Sequence, residues 1–153
     1  MAFPALTFAI AGDDADLLMR LERSATTNAL AHIFDTDSVY PSDHVRARWQ
    51  IVLDDRLVTT LVAHAAGEAI GYASYDELEL RHIGVLPAWF GTGAADALHD
   101  EVISRAPGGL RLWVLADNRR ARFFYERHGW RADGREGPSE FPPYPTQLGY
   151  RHG

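Results

Sequence analysis

The sequence predicts an α/β (α+β) domain in which helices flank a mixed, mostly antiparallel central sheet. Three observations carry this expectation. Segments with strand and helix periodicity follow one another in the order βα(α)βββαβαββ. Three strand candidates lie in succession between residues 56 and 86, the first two joined as a hairpin. A strand–turn–helix unit at 83–98 and a second strand–helix unit at 110–128 supply one parallel step. The 153 residues contain no repeat, low-complexity tract or linker, so one domain over 1–153 is expected.

Residues 3–10 (FPALTFAI) read as the first strand. Gly12 and Asp13 open a helix with Asp13 as the expected N-cap, Asp16 three residues on, and Leu18, Leu21 and Ala25 at helical spacing. Residues 26–50 hold His32, Phe34, Asp35, Asp37, Tyr40, Pro41 and His44, then a short helix ending near Trp49. This aromatic, acidic and histidine-bearing stretch reads either as a substrate-side wall, with His32, Phe34 and Tyr40 as its contacts, or as a covering loop. Arg56–Ala65 and Ala69–Tyr75 form the hairpin around Gly67. Leu80–Leu86 is the third strand, and its parity is irregular. Leu80, Ile83 and Val85 share one face only if a bulge separates 80 from 83. Residues 91–106 form a helix with Ala95, Leu98, Val102 and Ala106 in one stripe. LRLWVL at 110–115 is expected to be covered on both faces. Asp117 or Asn118 caps the next helix, with Ala121, Phe124, Tyr125 and His128 on one face and most of its arginines on the other. Gly129 stops it. Trp130–Arg135 and Gln147–Arg151 close the sheet around a Pro-rich loop.

The composition narrows the function. Without cysteine there are no disulfides, thiolate metal sites or cysteine nucleophiles. A net charge of -6 argues against nucleic-acid binding and favours a cationic partner such as an amine. No apolar run approaches the roughly 18 residues a membrane span requires. The first ten residues show neither an early basic group nor a cleavage site, so a cytoplasmic location is expected. His32, Asp35 and Asp37 are metal-ligand types, but with no second histidine at ligand spacing no metal is expected.

The chemistry concentrates at IGVLPAWFGTGAADAL, residues 83–98. Here a strand passes through a turn carrying Gly91 and Gly93 into a helix. A helix start leaves N–H groups unpaired and carries partial positive charge, which phosphate oxygens can satisfy. The glycines allow close backbone approach, and Ala94 and Ala95 keep the surface small. Two glycines at a helix start also serve as plain capping. No Gly-Lys-Ser/Thr follows, and Asp96 stands where a dinucleotide fingerprint has Gly or Ala, so neither a Walker loop nor a Rossmann half fits.

The downstream segment LWVLADNRRARFFYERHGW, residues 112–130, changes the weight of that turn. Together the two segments resemble the GNAT superfamily of N-acetyltransferases, specifically over 79–130 and only topologically before that. The family's turn reads Gln/Arg-x-x-Gly-x-Gly/Ala. Phe90-Gly91-Thr92-Gly93-Ala94-Ala95 matches at Gly93 and Ala95 and has Phe90 in place of the Gln or Arg.

The resemblance implies a GNAT-like acyl-CoA N-acyltransferase fold and acetyl-CoA as co-substrate. It implies direct attack on the thioester by a primary amine of a small molecule or peptide. It assigns cofactor binding to Ile83, Gly84 and Val85 on the strand, to Gly91, Thr92, Gly93, Ala94, Ala95 and Asp96 at the turn, and to Asn118, Phe124 and Tyr125 on the later helix. Val85 would offer its N–H to the thioester carbonyl, and Tyr125 would be the acid for the leaving thiolate. Glu79 is the first choice of general base, with Glu77, His82 and water as alternatives. A homodimer is an option the resemblance brings, and no residue decides it. A non-catalytic acyl-CoA-binding or sensor module is the alternative function.

Overall fold

The computed structural model describes residues 4–34 and 39–153. Strand β1 (Leu6–Ile10) leads into α1 (Ala15–Thr26) and α2 (Ser42–Asp54). Three antiparallel strands follow: β2 (Thr59–Ala65), β3 (Glu68–Tyr75) and β4 (Leu80–Val85). A 3-10 turn at Pro87–Trp89 leads to α3 (Ala94–Arg105), then come β5 (Leu110–Leu115), α4 (Arg119–Arg127), β6 (Arg131–Pro138) and β7 (Thr146–His152). This is the expected order, and the fold class is the expected α/β one. No helix among the described residues is long and apolar enough to cross a membrane.

The sheet is not continuous. β1-β2-β3-β4 form one antiparallel sheet and β5-β7-β6 another. Among the described residues they are bridged in parallel at Glu79 with Arg111, where Arg111 N–H donates to the Leu78 carbonyl at 2.7 Å. That bridge is the parallel step the sequence called for. Beyond it β4 and β5 separate.

Two apolar clusters hold the layers. One lies between the strands and α3–α4 and includes Leu61, Leu80, Val85, Leu98, Val102, Leu112, Trp130 and Tyr150. The other packs α1 and α2 on the opposite face of the first sheet, through Leu18, Met19, Val45, Trp49, Val62 and Tyr72. Neighbouring strand residues feed opposite layers, as alternation requires.

Three local expectations change. Asp14, not Asp13, caps α1, accepting from Leu17 N–H at 3.0 Å. The helix starts at Ala15, so the capping carboxylate must come from the residue before it, and Asp13 instead accepts from Gln50 on α2 at 2.9 Å. α2 runs to Asp54, beyond Trp49. β5 is buried on one face only. Leu110, Leu112 and Val114 point inward, while Trp113 is 37% exposed and lies beneath the Arg135 guanidinium. Its apolar sequence reflects that cation–π cover rather than a second packed layer.

Leu98 is fully buried and touches the sheet near Gly71, where its methyl lies 3.5 Å from the position a Cβ would take. Leu98→Ala should lower the unfolding free energy by about 2–5 kcal/mol, measured by urea denaturation with an unchanged slope.

Candidate functional site

The separation of β4 from β5 opens a cavity of about 490 Å³. β4 supplies Ile83, Gly84 and Val85, the turn supplies Gly91, Gly93, Ala95 and Asp96, and α4 supplies Ala121, Phe124 and Tyr125. Ala25 and Thr26 at the end of α1, with Ala29 and Leu30 just beyond, form the remaining wall.

The register of β3 and β4 determines which backbone groups face this cavity. Ser74 opposes His82 and Tyr75 opposes Leu80, so Arg81 is an extra residue, the bulge that the parity of the sequence required. Leu80, Ile83 and Val85 therefore share the α3–α4 side. Leu86 N–H donates to Ile70 at 2.8 Å. Bonded pairs then recur at Tyr72–Gly84 and Ser74–His82, because an antiparallel ladder alternates. The N–H and C=O groups of Ile83 and Val85 consequently point away from β3, toward the side where β5 has departed.

At the turn, Gly91 and Gly93 have φ of 73° and 89°, a left-handed conformation that glycine adopts without strain. Gly93 is the N-cap of α3 and has no side chain to cap it. Thr92 turns inward. Its hydroxyl donates to the Trp89 carbonyl at 2.7 Å and accepts from Ala94 N–H at 3.3 Å. Thr92 and Ala94 thus shape the turn from behind, with Ala94 buried in the core. The N–H groups of Ala95 and Asp96 lie in the first helical turn, where no preceding carbonyl of the helix receives them. Burial raises the Asp96 carboxyl, but hydrogen bonds from His128 at 2.6 Å and Arg127 at 2.9 Å outweigh it and hold it below the usual range.

Helix α4 begins at Asn118, whose side chain accepts from Ala121 N–H at 3.2 Å and which also lines the cavity. Tyr125 faces the cavity, and burial raises its phenol above the ordinary value. The sequence leaves the arginines between 119 and 127 as a solvated helix face from which one or two could touch a cofactor's phosphates, and it does not say which; Arg120 is the one beside the glycine turn. Its guanidinium carbon lies 3.7 Å from the centre of the Phe90 ring, and both residues line the cavity. A cation therefore stands beside the glycine turn although the turn itself carries Phe90. Arg120 lies one helical turn before Phe124, at the border of the cavity-facing stripe, and Phe90 from the glycine turn meets it there.

The other candidates lie elsewhere. Glu79 is at the closed end of the split, in the Arg111 bridge, and does not line the cavity. Glu77 is exposed on the preceding loop. His82 faces α2, where Arg48 donates to its Nε2 at 3.0 Å. Burial and the guanidinium push its pKa down to about 3. His32 bonds the Asp117 carbonyl at 2.9 Å and borders an adjoining hollow with Arg119 and Arg120. That is the α4 side of the cleft rather than the α2 side. Phe34 lies in the turn after α1, outside the cavity lining. Tyr40 packs near Glu22 and Thr26, and burial, then the Glu22 charge, push its pKa up to about 12. Asp35 and Asp37 lie outside the described residues.

His99, Asp100 and His128 place ligand atoms within 4.8 Å of one another. Trp130 Nε1–H donates to His99 Nε2 at 2.9 Å, which leaves the ring proton on Nδ1, directed at Asp100 Oδ1 at 3.1 Å. With His128 Nε2 on Asp96 at 2.6 Å, these contacts tie α3 to the end of α4.

Residues 18–130 match the sequence profile of the acetyltransferase (GNAT) family. An uncharacterized N-acetyltransferase of Mycobacterium tuberculosis is 36% identical over 97 residues, covering 58% of this chain and 62% of that protein. The chain thus spans less than two thirds of that relative's length. Among solved structures, an acetyltransferase from Thermus thermophilus superposes with a TM-score of 0.75 at 18% identity, covering 99% of both chains. The PaiA N-acetyltransferase of Thermoplasma acidophilum, in complex with coenzyme A, gives 0.74 at 16% identity, covering 95% of this chain and 98% of that one. Spermidine N-acetyltransferase from Vibrio cholerae, in complex with CoA and spermine, gives 0.70 at 16% identity, covering 96% and 94%. Similarity at these identities is similarity of fold.

The neutral His82 ties the stability of the α2–β4 contact to pH. The unfolded chain binds a proton at His82 near pH 6.5, whereas the folded chain resists it down to about 3. Its contribution is therefore complete above 6.5 and is lost as pH falls toward 3. Stability should drop by about 1–2 kcal/mol from this group between pH 7 and 5, and His82→Asn should flatten that part of the profile in pH-dependent urea titrations.

Proposed function

The chain belongs to the acetyltransferase (GNAT) family, and we propose that it transfers an acetyl group from acetyl-CoA to a primary amine of a small molecule or peptide. The observation that carries this reading is the open slot beside β4. There the unpaired backbone of Ile83 and Val85, the glycine turn and Tyr125 border one cavity. The groups fit the donor's chemistry. A diphosphate needs N–H donors and positive charge, which the start of α3 and Arg120 supply. An amide-bearing arm needs a strand edge, which β4 supplies. The amine class is favoured by the net charge of -6 and by fold neighbours whose names include spermidine N-acetyltransferase.

In this reading the chain's residues divide the work. Ile83 pairs with the amide-bearing arm. Val85 N–H holds the thioester carbonyl and stabilises the oxyanion that forms as the amine nitrogen attacks. The N–C bond forms, the tetrahedral centre collapses and the C–S bond breaks. Tyr125, kept protonated by burial, gives its proton to the departing thiolate. The proton shed by the nitrogen restores Tyr125 through water, so the products are a neutral amide and a free thiol. Water takes the base role because Glu77, Glu79 and His82 do not line the cavity.

Calorimetry with acetyl-CoA, followed by thiol release against an amine panel, tests the proposal. Binding without release for any amine would favour a non-catalytic acyl-CoA-binding module, and absence of binding would remove both. Tyr125→Phe should keep the CoA affinity and lower kcat at least about tenfold. Arg120→Ala should weaken CoA binding about tenfold with the fold intact, as expected when one charged hydrogen-bonding partner of a phosphate is lost.

A further inference from the structure

Tyr72 stands on β3 directly opposite Gly84 of β4, on the α1–α2 face of the sheet. The residue is only 2% exposed. Its ring is fixed edge-on by Trp49, with centroids 5.7 Å apart at 88°. The side chain leans across Gly84. A Cβ at that position would lie 2.6 Å from the Tyr72 hydroxyl oxygen and 2.8 Å from Cζ, so the missing Gly84 side chain is what admits the phenol. Both residues line the cavity. No described residue exchanges a hydrogen bond with the Tyr72 hydroxyl.

The Tyr72 hydroxyl is not among the enclosed polar atoms that lack a partner, and the residue lines the cavity, so a molecule in the cavity can reach it. Covering Gly84 and packing on Trp49 would be served equally by phenylalanine. The hydroxyl therefore has use for an acceptor that arrives with a ligand. Burial, and then the negative Glu22, hold Tyr72 well above the ordinary tyrosine value, so it acts as a donor and not as a base. It reaches β4 from one face while Tyr125 reaches the same cavity from the other. Between them runs the Gly84–Val85 peptide, whose N–H points into the split.

We propose that Tyr72 is a further catalytic residue, donating a hydrogen bond to the acyl oxygen of the thioester and completing with Val85 N–H a two-donor oxyanion site. This rests on the acetyl-transfer reading above. As the amine attacks, the carbonyl pair moves onto oxygen and both donors shorten toward it. When the C=O reforms and the thiolate leaves with the Tyr125 proton, Tyr72 retains its own. One such donor is worth roughly 10²–10³ in kcat where it has been removed from other enzymes.

Isotope-edited infrared spectroscopy of carbonyl-13C acetyl-CoA bound to the protein reads this contact without any acceptor present. The carbonyl band should move to higher frequency in Tyr72→Phe, with the dissociation constant unchanged. Gly84→Ala, which keeps the tyrosine but displaces its hydroxyl, should move the band the same way. In turnover, Tyr72→Phe should lose roughly 10–100-fold in kcat while the KM for acetyl-CoA holds. An unmoved band in both variants, with acetyl-CoA bound, overturns the inference and leaves acetyl transfer standing. A rise confined to the KM of the amine overturns it too, since the hydroxyl would then hold the acceptor. Failure of the unmodified protein to bind acetyl-CoA overturns both readings.

Discussion

Along Ile83 to Val85 the backbone of β4 carries polar groups on a side that no strand among the described residues receives. A sheet edge ordinarily closes on a neighbour, and the neighbour here, β5, is attached only at Glu79–Arg111. The β3–β4 register shifts at Arg81, and Trp89, Phe90, Ala121 and Tyr125 pack against the core while lining the cavity beside β4. β5 meanwhile takes its hydrogen bonds from β7 along its whole length, so it has no need of β4. The rest of the site is arranged around this edge. The glycine turn follows directly from the end of β4, and α4 follows directly from the end of β5.

An open edge is useful only if it stays straight, and the α1–α2 layer supports it from behind. Glu22 accepts from Arg48 at 2.7 Å and from Trp49 Nε1–H at 3.1 Å, and Arg48 donates to His82 on β4. Each donor in this partly buried set meets an acceptor, the condition under which such a network stabilises rather than costs. A protonated His82 would present an N–H to the guanidinium, which is why the set requires a neutral imidazole. The edge is thus held before any ligand arrives, as the preorganisation of an electrostatic site demands.

Much of this was legible where it depends on neighbours in the chain. The irregular parity of Leu80, Ile83 and Val85 announced the bulge. The glycines before Ala94 announced the turn, and Asp117-Asn118 ahead of the next helix announced a cap, whereas a role for Tyr125 beyond the apolar face came only with the family resemblance. What was illegible depends on contacts between distant elements. Two aspartates at 13 and 14 are equivalent caps until the first helical residue is known. The apolar run at 110–115 does not say that Arg135 will cover Trp113. Which arginine of α4 stands beside the glycine turn stays undecided until Phe90 is brought beneath Arg120. Tyr72 reads as a strand aromatic, because nothing local tells that its partner across the ladder is a glycine at the cavity edge.

Helix α4, nine residues long, carries Arg120 on Phe90, Arg127 on Asp96 and Tyr125 on the cavity wall. Under the proposed function it would work as a lever, with the diphosphate end of the donor near Arg120 and the sulfur near Tyr125. A donor truncated before its phosphates would leave the first arm unloaded and the acid less firmly placed. Discrimination between whole and shortened thioesters would then be expressed in turnover at saturation, and not only in affinity, because distant binding would be spent on the alignment of the reacting end.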